Sequence, residues 1–156
     1  DRPIIPDYGV NDQGSGDMYP KGGEMLHTIR QLVDDDARWR GILQGLNKTF
    51  WHQTVTGQQV QDYMSRSAGR DLSRVFEQYL RTTQIPTLEY RLVGDTLSFR
   101  WTDVVRGFDM PVKATLDGAH FTWLRPTTAW QRTRVTLKNA SDFRVDPNFY
   151  VLARVR

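Results

Sequence analysis

Side chains that commonly do chemistry are sparse in this chain. Cysteine is absent, which removes thiolate nucleophiles, thiolate metal sites and disulfides together. The three histidines, His27, His52 and His120, are scattered. None has a second His four residues on, and the His-Glu-x-x-His spacing that sets two imidazoles on one helix face does not occur. No serine is flanked as Gly-x-Ser-x-Gly, and Gly22-Gly23 falls short of a phosphate-cradling loop. Asp34-Asp35-Asp36 reads as a solvated helix start, where carboxylates favour the positive end of the dipole, ahead of a metal site. One segment stands apart: Asp17-Met18-Tyr19-Pro20-Lys21-Gly22-Gly23-Glu24-Met25-Leu26-His27-Thr28-Ile29-Arg30. On composition alone, Tyr19 is a half-buried aromatic at the start of a helix.

The elements around it follow from periodicity. Residues 1–17 hold Pro3, Pro6, Gly9, Gly14 and Gly16 with Asn11, Asp12, Ser15 and Asp17 between them, the composition of a loop. From Tyr19 to about Thr83 apolar residues recur every three or four positions. Met25, Leu26, Ile29, Leu32 and Val33 stripe a first helix, with Asp17 as cap and Pro20 in its first turn. Trp39, Ile42, Leu43 and Leu46 stripe a second. Thr56 and Gln59 form a capping box ahead of Val60, Tyr63 and Met64. Asp71 caps a fourth helix carrying Leu72, Val75, Phe76, Tyr79 and Leu80. After Pro86 the period becomes two. Leu88, Tyr90 and Leu92 lead through Gly94-Asp95 to Leu97, Phe99 and Trp101, and Asp117-Gly118 marks a second hairpin, joining Val112, Ala114 and Leu116 to Phe121 and Trp123. Further strands are expected over 133–137 and 149–155. The fold class is therefore α+β: about four short helices over residues 1–83, with 1–17 a loop, then an antiparallel β-sandwich over 84–156.

The singled-out segment resembles the Tyr-x-Lys-Gly segment of the gluzincin aminopeptidases, the M1 metallopeptidase family. Tyr19, Lys21, Gly22 and Gly23 match the motif, and Leu26, His27, Ile29 and Arg30 match its helical continuation. Residues 97–101 and 108–113 are similar to the opening hairpin of the small β-domain that follows the family's catalytic domain, and Val145-Asp146-Pro147 to its close. The resemblance spans roughly residues 8–156. It implies that Tyr19 donates a hydrogen bond to the carbonyl oxygen that becomes negative when a zinc-bound water attacks. A phenol with a reference pKa of about 10 stays protonated, and so remains a donor, at neutral pH. The zinc-binding His-Glu-x-x-His helix, its following Glu, and the motif that holds the substrate amino terminus are absent. In the family these precede the tyrosine. The expectation is a C-terminal portion of such an enzyme: zinc and peptide substrate belong to the parent, the partner is the missing N-terminal zinc-binding part, and the isolated chain binds no catalytic zinc and is inactive. Residues 1–18 are then expected to be mobile or held by a neighbouring chain.

Composition bounds the remainder. The 156 residues are 38% apolar, 12% aromatic and 25% charged, enough for a core. The mean hydropathy is −0.58, and no apolar run approaches the roughly 18 residues of a membrane span. The opening Asp1-Arg2-Pro3 lacks a secretory pattern, and the chain is expected to be soluble, cytoplasmic or exported, with its compartment open. Twenty-one basic and 18 acidic residues leave a net charge of +3, with arginines spread along the whole chain, and nucleic acid is not an expected partner. The alternative function is a non-enzymatic module that binds peptide or glycan through sandwich aromatics, Trp101, Trp123 and Trp130.

Overall fold

Among the described residues of the computed structural model, four helices, α1 (Pro20–Val33), α2 (Asp36–Thr49), α3 (Gly57–Ala68) and α4 (Ser73–Arg81), lead into six strands. The structure describes residues 2–7, 9 and 14–156. The local signals act largely as their chemistry dictates. Asp34 closes α1 in the left-handed region at φ 55°, and the Asp35 carboxylate accepts from the Arg38 N–H at 2.9 Å to open α2. Thr56 and Gln59 form a reciprocal capping box on α3. The Asp71 carboxylate accepts from the Ser73 N–H at 2.8 Å. Asp17 does not cap α1. It lies in a 3-10 turn, Gly16–Met18, whose own start is held by the Ser15 hydroxyl, and Tyr19 occupies the cap position of α1 without a side-chain bond.

The strands are β1 (Thr87–Val93), β2 (Thr96–Thr102), β3 (Val112–Thr115), β4 (Phe121–Leu124), β5 (Gln131–Arg134) and β6 (Leu152–Val155). They form two sheets, one ordered β5-β2-β1-β6 and one of β3 and β4. The β1–β2 hairpin pairs Val93 with Thr96 across Gly94-Asp95, and the alternation puts Leu97, Phe99 and Trp101 in the core. Pairing is antiparallel except between β1 and β6, which run parallel. A parallel partner must arrive by a long crossover, and two-residue turn signals do not announce one. Phe121, on the second strand of the β3–β4 hairpin, is exposed. Buried apolar side chains of α1, α3, α4 and both sheets join in one cluster that includes Ile29, Tyr79, Leu88, Trp101 and Val112.

Positions 1, 8 and 10–13 of the expected loop, including Asn11 and Asp12, lie outside the described residues. The remainder departs from the mobility expected of residues 1–18. Pro3, Ile4, Ile5 and Pro6 are half-buried, the Ile5 N–H donates to the Leu80 carbonyl at 2.8 Å, and Arg2 donates to the Gly14 carbonyl at 2.8 Å. The segment is thus held by its own chain, at the end of α4.

Candidate functional site

Tyr19 stands where the 3-10 turn meets α1. Its N–H reaches back to the Gly16 carbonyl at 3.4 Å, and its carbonyl accepts from the Gly23 N–H at 3.0 Å, so its backbone is fixed on both sides. Pro20 follows at the first helical position, where its missing N–H costs no hydrogen bond. The side chain is 78% exposed, and its phenol makes no hydrogen bond to any described residue. Gly22 and Gly23, one turn on, leave the same face open: a side chain at either would meet nothing within 4 Å. Leu26, a further turn on, is exposed as well. Tyr19, Gly22, Gly23 and Leu26 follow the three-and-four spacing of a single helix face.

The opposite face is anchored. Met25, Thr28, Ile29 and Leu32 are buried, and so is Lys21, at 7% exposure. The Lys21 ammonium donates to the carbonyl of Thr82, just beyond α4. Burial pulls its pKa below the usual lysine value, partly opposed by the carboxylate of Asp17. Thr82 is fixed in turn: its hydroxyl donates to the Gln78 backbone carbonyl at 2.7 Å. Gln78 is fully buried. Its amide nitrogen donates to the carbonyls of Gln84 and Asp103, both at 3.1 Å, and its amide oxygen accepts from the Val105 N–H at 2.7 Å. Farther along α1, the Thr28 hydroxyl accepts from the Tyr150 N–H at 3.0 Å, and the Tyr79 hydroxyl donates to the Tyr150 carbonyl at 2.7 Å. Lys113 reaches Asp34 at 2.6 Å. The result is an open, unclaimed phenol on a helix whose rear side is tightly tied. Sequence reasoning quoted Lys21 only as part of a motif and missed Gln78 and Thr82. A glutamine between Glu77 and Tyr79 on an amphipathic helix carries no mark of burial.

The remaining candidates are dispersed. His27 meets Asn148 at 3.2 Å and Gln31 at 3.4 Å, His52 packs edge-on against Trp51, and His120 pairs with Asp117 at 2.7 Å. Hydrogen bonds from His120 and from the Ala119 N–H hold the Asp117 carboxyl well below the usual range. Among the described residues no three His, Asp or Glu side chains gather to hold a metal. The three tryptophans do not make one surface patch. Trp101 is 1% exposed and donates to the Met110 carbonyl at 2.9 Å, Trp123 is half-buried edge-on to Phe149, and Trp130 alone of the three is exposed. Among the described residues no helix is long and apolar enough to cross a membrane.

No family model matches the chain. Two curated proteins resemble about half of it. Aminopeptidase N of Lactococcus lactis subsp. lactis is 28% identical over 80 residues, 51% of this chain and 9% of that protein. A probable aminopeptidase 1 of Sulfurisphaera tokodaii is 26% identical over 81 residues, 52% of this chain and 10% of that protein. The matched segment thus spans about a tenth of either relative. Among solved structures, the aminopeptidase A of Legionella pneumophila, determined in complex with aspartic acid, superposes over 91% of this chain and 18% of its own. The TM-score is 0.61 at 14% identity, a likeness of fold.

Proposed function

We propose that this chain is a C-terminal portion of an M1-like zinc aminopeptidase, following its zinc-binding segment. In this reading Tyr19 donates a hydrogen bond to the oxygen of the scissile peptide carbonyl as that oxygen gains negative charge. The observation that carries it is the pairing of an exposed, uncommitted phenol with a rear face locked by Lys21. A donor of this kind works when it is held in advance and not already engaged, so that no reorganisation is needed as charge develops. A neutral phenol meets that need at physiological pH. Sequence similarity to two aminopeptidases and the fold shared with a third support the same reading.

The described residues do not fit a zinc site, since His27, His52 and His120 are apart and otherwise engaged. Zinc ligands in this reading come from the rest of the protein, and no metal step is assigned to this chain. The helices α1 to α4 form one wall of a peptide-binding cleft, and the strands β1 to β6 buttress it through the common core.

The test is Tyr19→Phe in the full-length enzyme. Loss of one oxyanion donor should lower kcat by about 10²–10³-fold. Stability and zinc content should hold, because the phenol has no partner within the described chain to lose. An unchanged kcat removes Tyr19 from the reaction. Lys21→Met should do the reverse in kind, lowering the melting temperature first, because the Thr82 carbonyl loses its donor. The chain by itself should not hydrolyse aminoacyl substrates with zinc added, and turnover there would overturn the assignment.

A further inference from the structure

The outer face of the four-stranded sheet carries charge in a pattern that peptide hydrolysis does not use. Arg132 on β5 opposes Ser98 on β2, and Ser98 opposes Arg91 on β1. Arg156 follows Val155, which opposes Tyr90 in the parallel pair, and its N–H donates to the Tyr90 carbonyl at 2.9 Å, so it stands beside Arg91. One row across four strands, spaced about 4.8 Å apart, therefore reads Arg, Ser, Arg, Arg. Like charges side by side on a sheet are destabilising. The other arginines of this face are compensated: Arg100 meets Glu89 at 2.7 Å, Arg154 meets Asp103 at 3.7 Å and Arg134 approaches Asp95 at 4.0 Å. Arg91, Arg132 and Arg156 have no side-chain carboxylate in ion-pair range among the described residues. That leaves three positive side-chain charges on this face without a side-chain carboxylate partner among the described residues.

Ser98 is the small member of the row. Above it lies a hollow of about 320 Å³, lined by Arg91, Arg132, Arg156 and the Trp130 ring. That volume sits at the small end of ligand sites. Trp130 is 39% exposed, and the guanidinium groups of Arg100 and Arg156 lie 4.7 and 5.8 Å from its ring centre. Such contacts orient the cations around the hollow. With two guanidinium groups against it, the ring offers a nucleobase less free surface for stacking, which favours a small anion over a nucleic acid. Guanidinium forks match oxyanions with paired hydrogen bonds, and a serine hydroxyl beneath adds another donor.

We infer that this hollow binds a compact small-molecule polyanion, with at least two oxyanion groups of the phosphate or carboxylate class, held by Arg91, Arg132 and Arg156 over Ser98. The test follows the Trp130 indole N–H by two-dimensional NMR, assigned with Trp130→Phe, while pyrophosphate or citrate is titrated. A saturable shift of that signal is expected with one probe or both. Saturation by pyrophosphate alone assigns the phosphate class, and by citrate alone the carboxylate class. Arg91→Gln and Arg132→Gln, both on the exposed face, should each weaken binding by about tenfold or more. Arg40→Gln on α2 should leave it unchanged. The inference is overturned if neither probe saturates, if Arg40→Gln weakens binding equally, or if only an oligo-glutamate peptide or an oligonucleotide saturates the signal.

Discussion

Replacing Gln78 with leucine should be among the most damaging single changes in this chain. The substitution keeps roughly the size of a fully buried side chain and removes its polar atoms. Three backbone groups lose partners: the Val105 N–H at 2.7 Å and the carbonyls of Gln84 and Asp103 at 3.1 Å. A weaker bond to the Thr82 hydroxyl at 3.3 Å goes as well. Leaving a buried donor or acceptor without a partner costs about 1–3 kcal/mol each. Three such losses, less rehydration at the exposed residues Gln84 and Asp103, the 3.4 Å bond that the Gln84 carbonyl still accepts from the Thr82 hydroxyl, and the gain from burying a more apolar side chain, come to about 3 kcal/mol. With a urea dependence of about 2 kcal/mol per molar, the unfolding midpoint should fall by about 1.5 M at unchanged slope. A fall below about 0.5 M would refute the claim that Gln78 fastens α4 to the strands. Gln78→Glu supplies the second arm. Its carboxylate would face two carbonyls, so burial and those dipoles raise its pKa. The variant should therefore gain stability as pH falls through that raised value, because the folded state then binds the extra proton. A pH-independent defect would mean that the carbonyls do not face the side chain.

Tyr79→Phe should cost about 1–2 kcal/mol at neutral pH by removing the 2.7 Å bond to the Tyr150 carbonyl. Burial holds the Tyr79 phenol well above its ordinary value, with the Thr28 hydroxyl pulling the other way. The unfolded phenol ionises from about pH 10 while the folded one keeps its proton, so Tyr79's contribution declines as pH climbs past that value. Urea midpoints from neutral pH to about pH 11 should show the gap between wild type and variant narrowing, and a constant gap would contradict the burial argument. At Gly45, inside α2, an added Cβ would fall 2.2 Å from the Tyr63 hydroxyl, which donates to the Ile42 carbonyl at 3.1 Å. Gly45→Ala alone should bring no net gain. In a Tyr63→Phe background the helix propensity of alanine should emerge as about 1 kcal/mol of stabilisation. Thermal melts of the four members of that cycle decide it, and additivity would sink the steric explanation.

Local chemistry made much of this fold legible. Thr56 and Gln59 announce α3, Asp34 to Asp36 announce the break between α1 and α2, and Gly94-Asp95 sets the register that buries Leu97, Phe99 and Trp101. What stayed hidden depends on distant contacts. The parallel seating of β6 has no nearby turn signal, and Gln78 looks like any polar helix residue until loops 84 and 103–105 close around it. Asp17 does not cap α1 because the chain first makes a 3-10 turn, itself capped by Ser15, and α1 then begins behind Tyr19 without a side-chain cap. At the candidate site, the resemblance singles out Tyr19. Its exposure and the burial of Lys21 beneath it required the packed helix.

The ties between α1 and residues 148–150 span more than 120 positions of sequence, from His27 to Asn148 and from Thr28 to Tyr150. Strand β1 likewise waits for β6, some 65 residues later, to fill one side. A ribosome making this stretch in order delivers α1 long before Asn148 and Tyr150, the last of its fastenings. Contacts so far apart in sequence slow folding, because a long loop must close before they form. During synthesis α1 therefore spends its time as an amphipathic helix with its rear face incompletely covered, a stage at which exposed apolar surface invites association. Stop codons or proteolytic cuts near residue 147 should loosen a helix that begins more than 120 residues earlier in sequence.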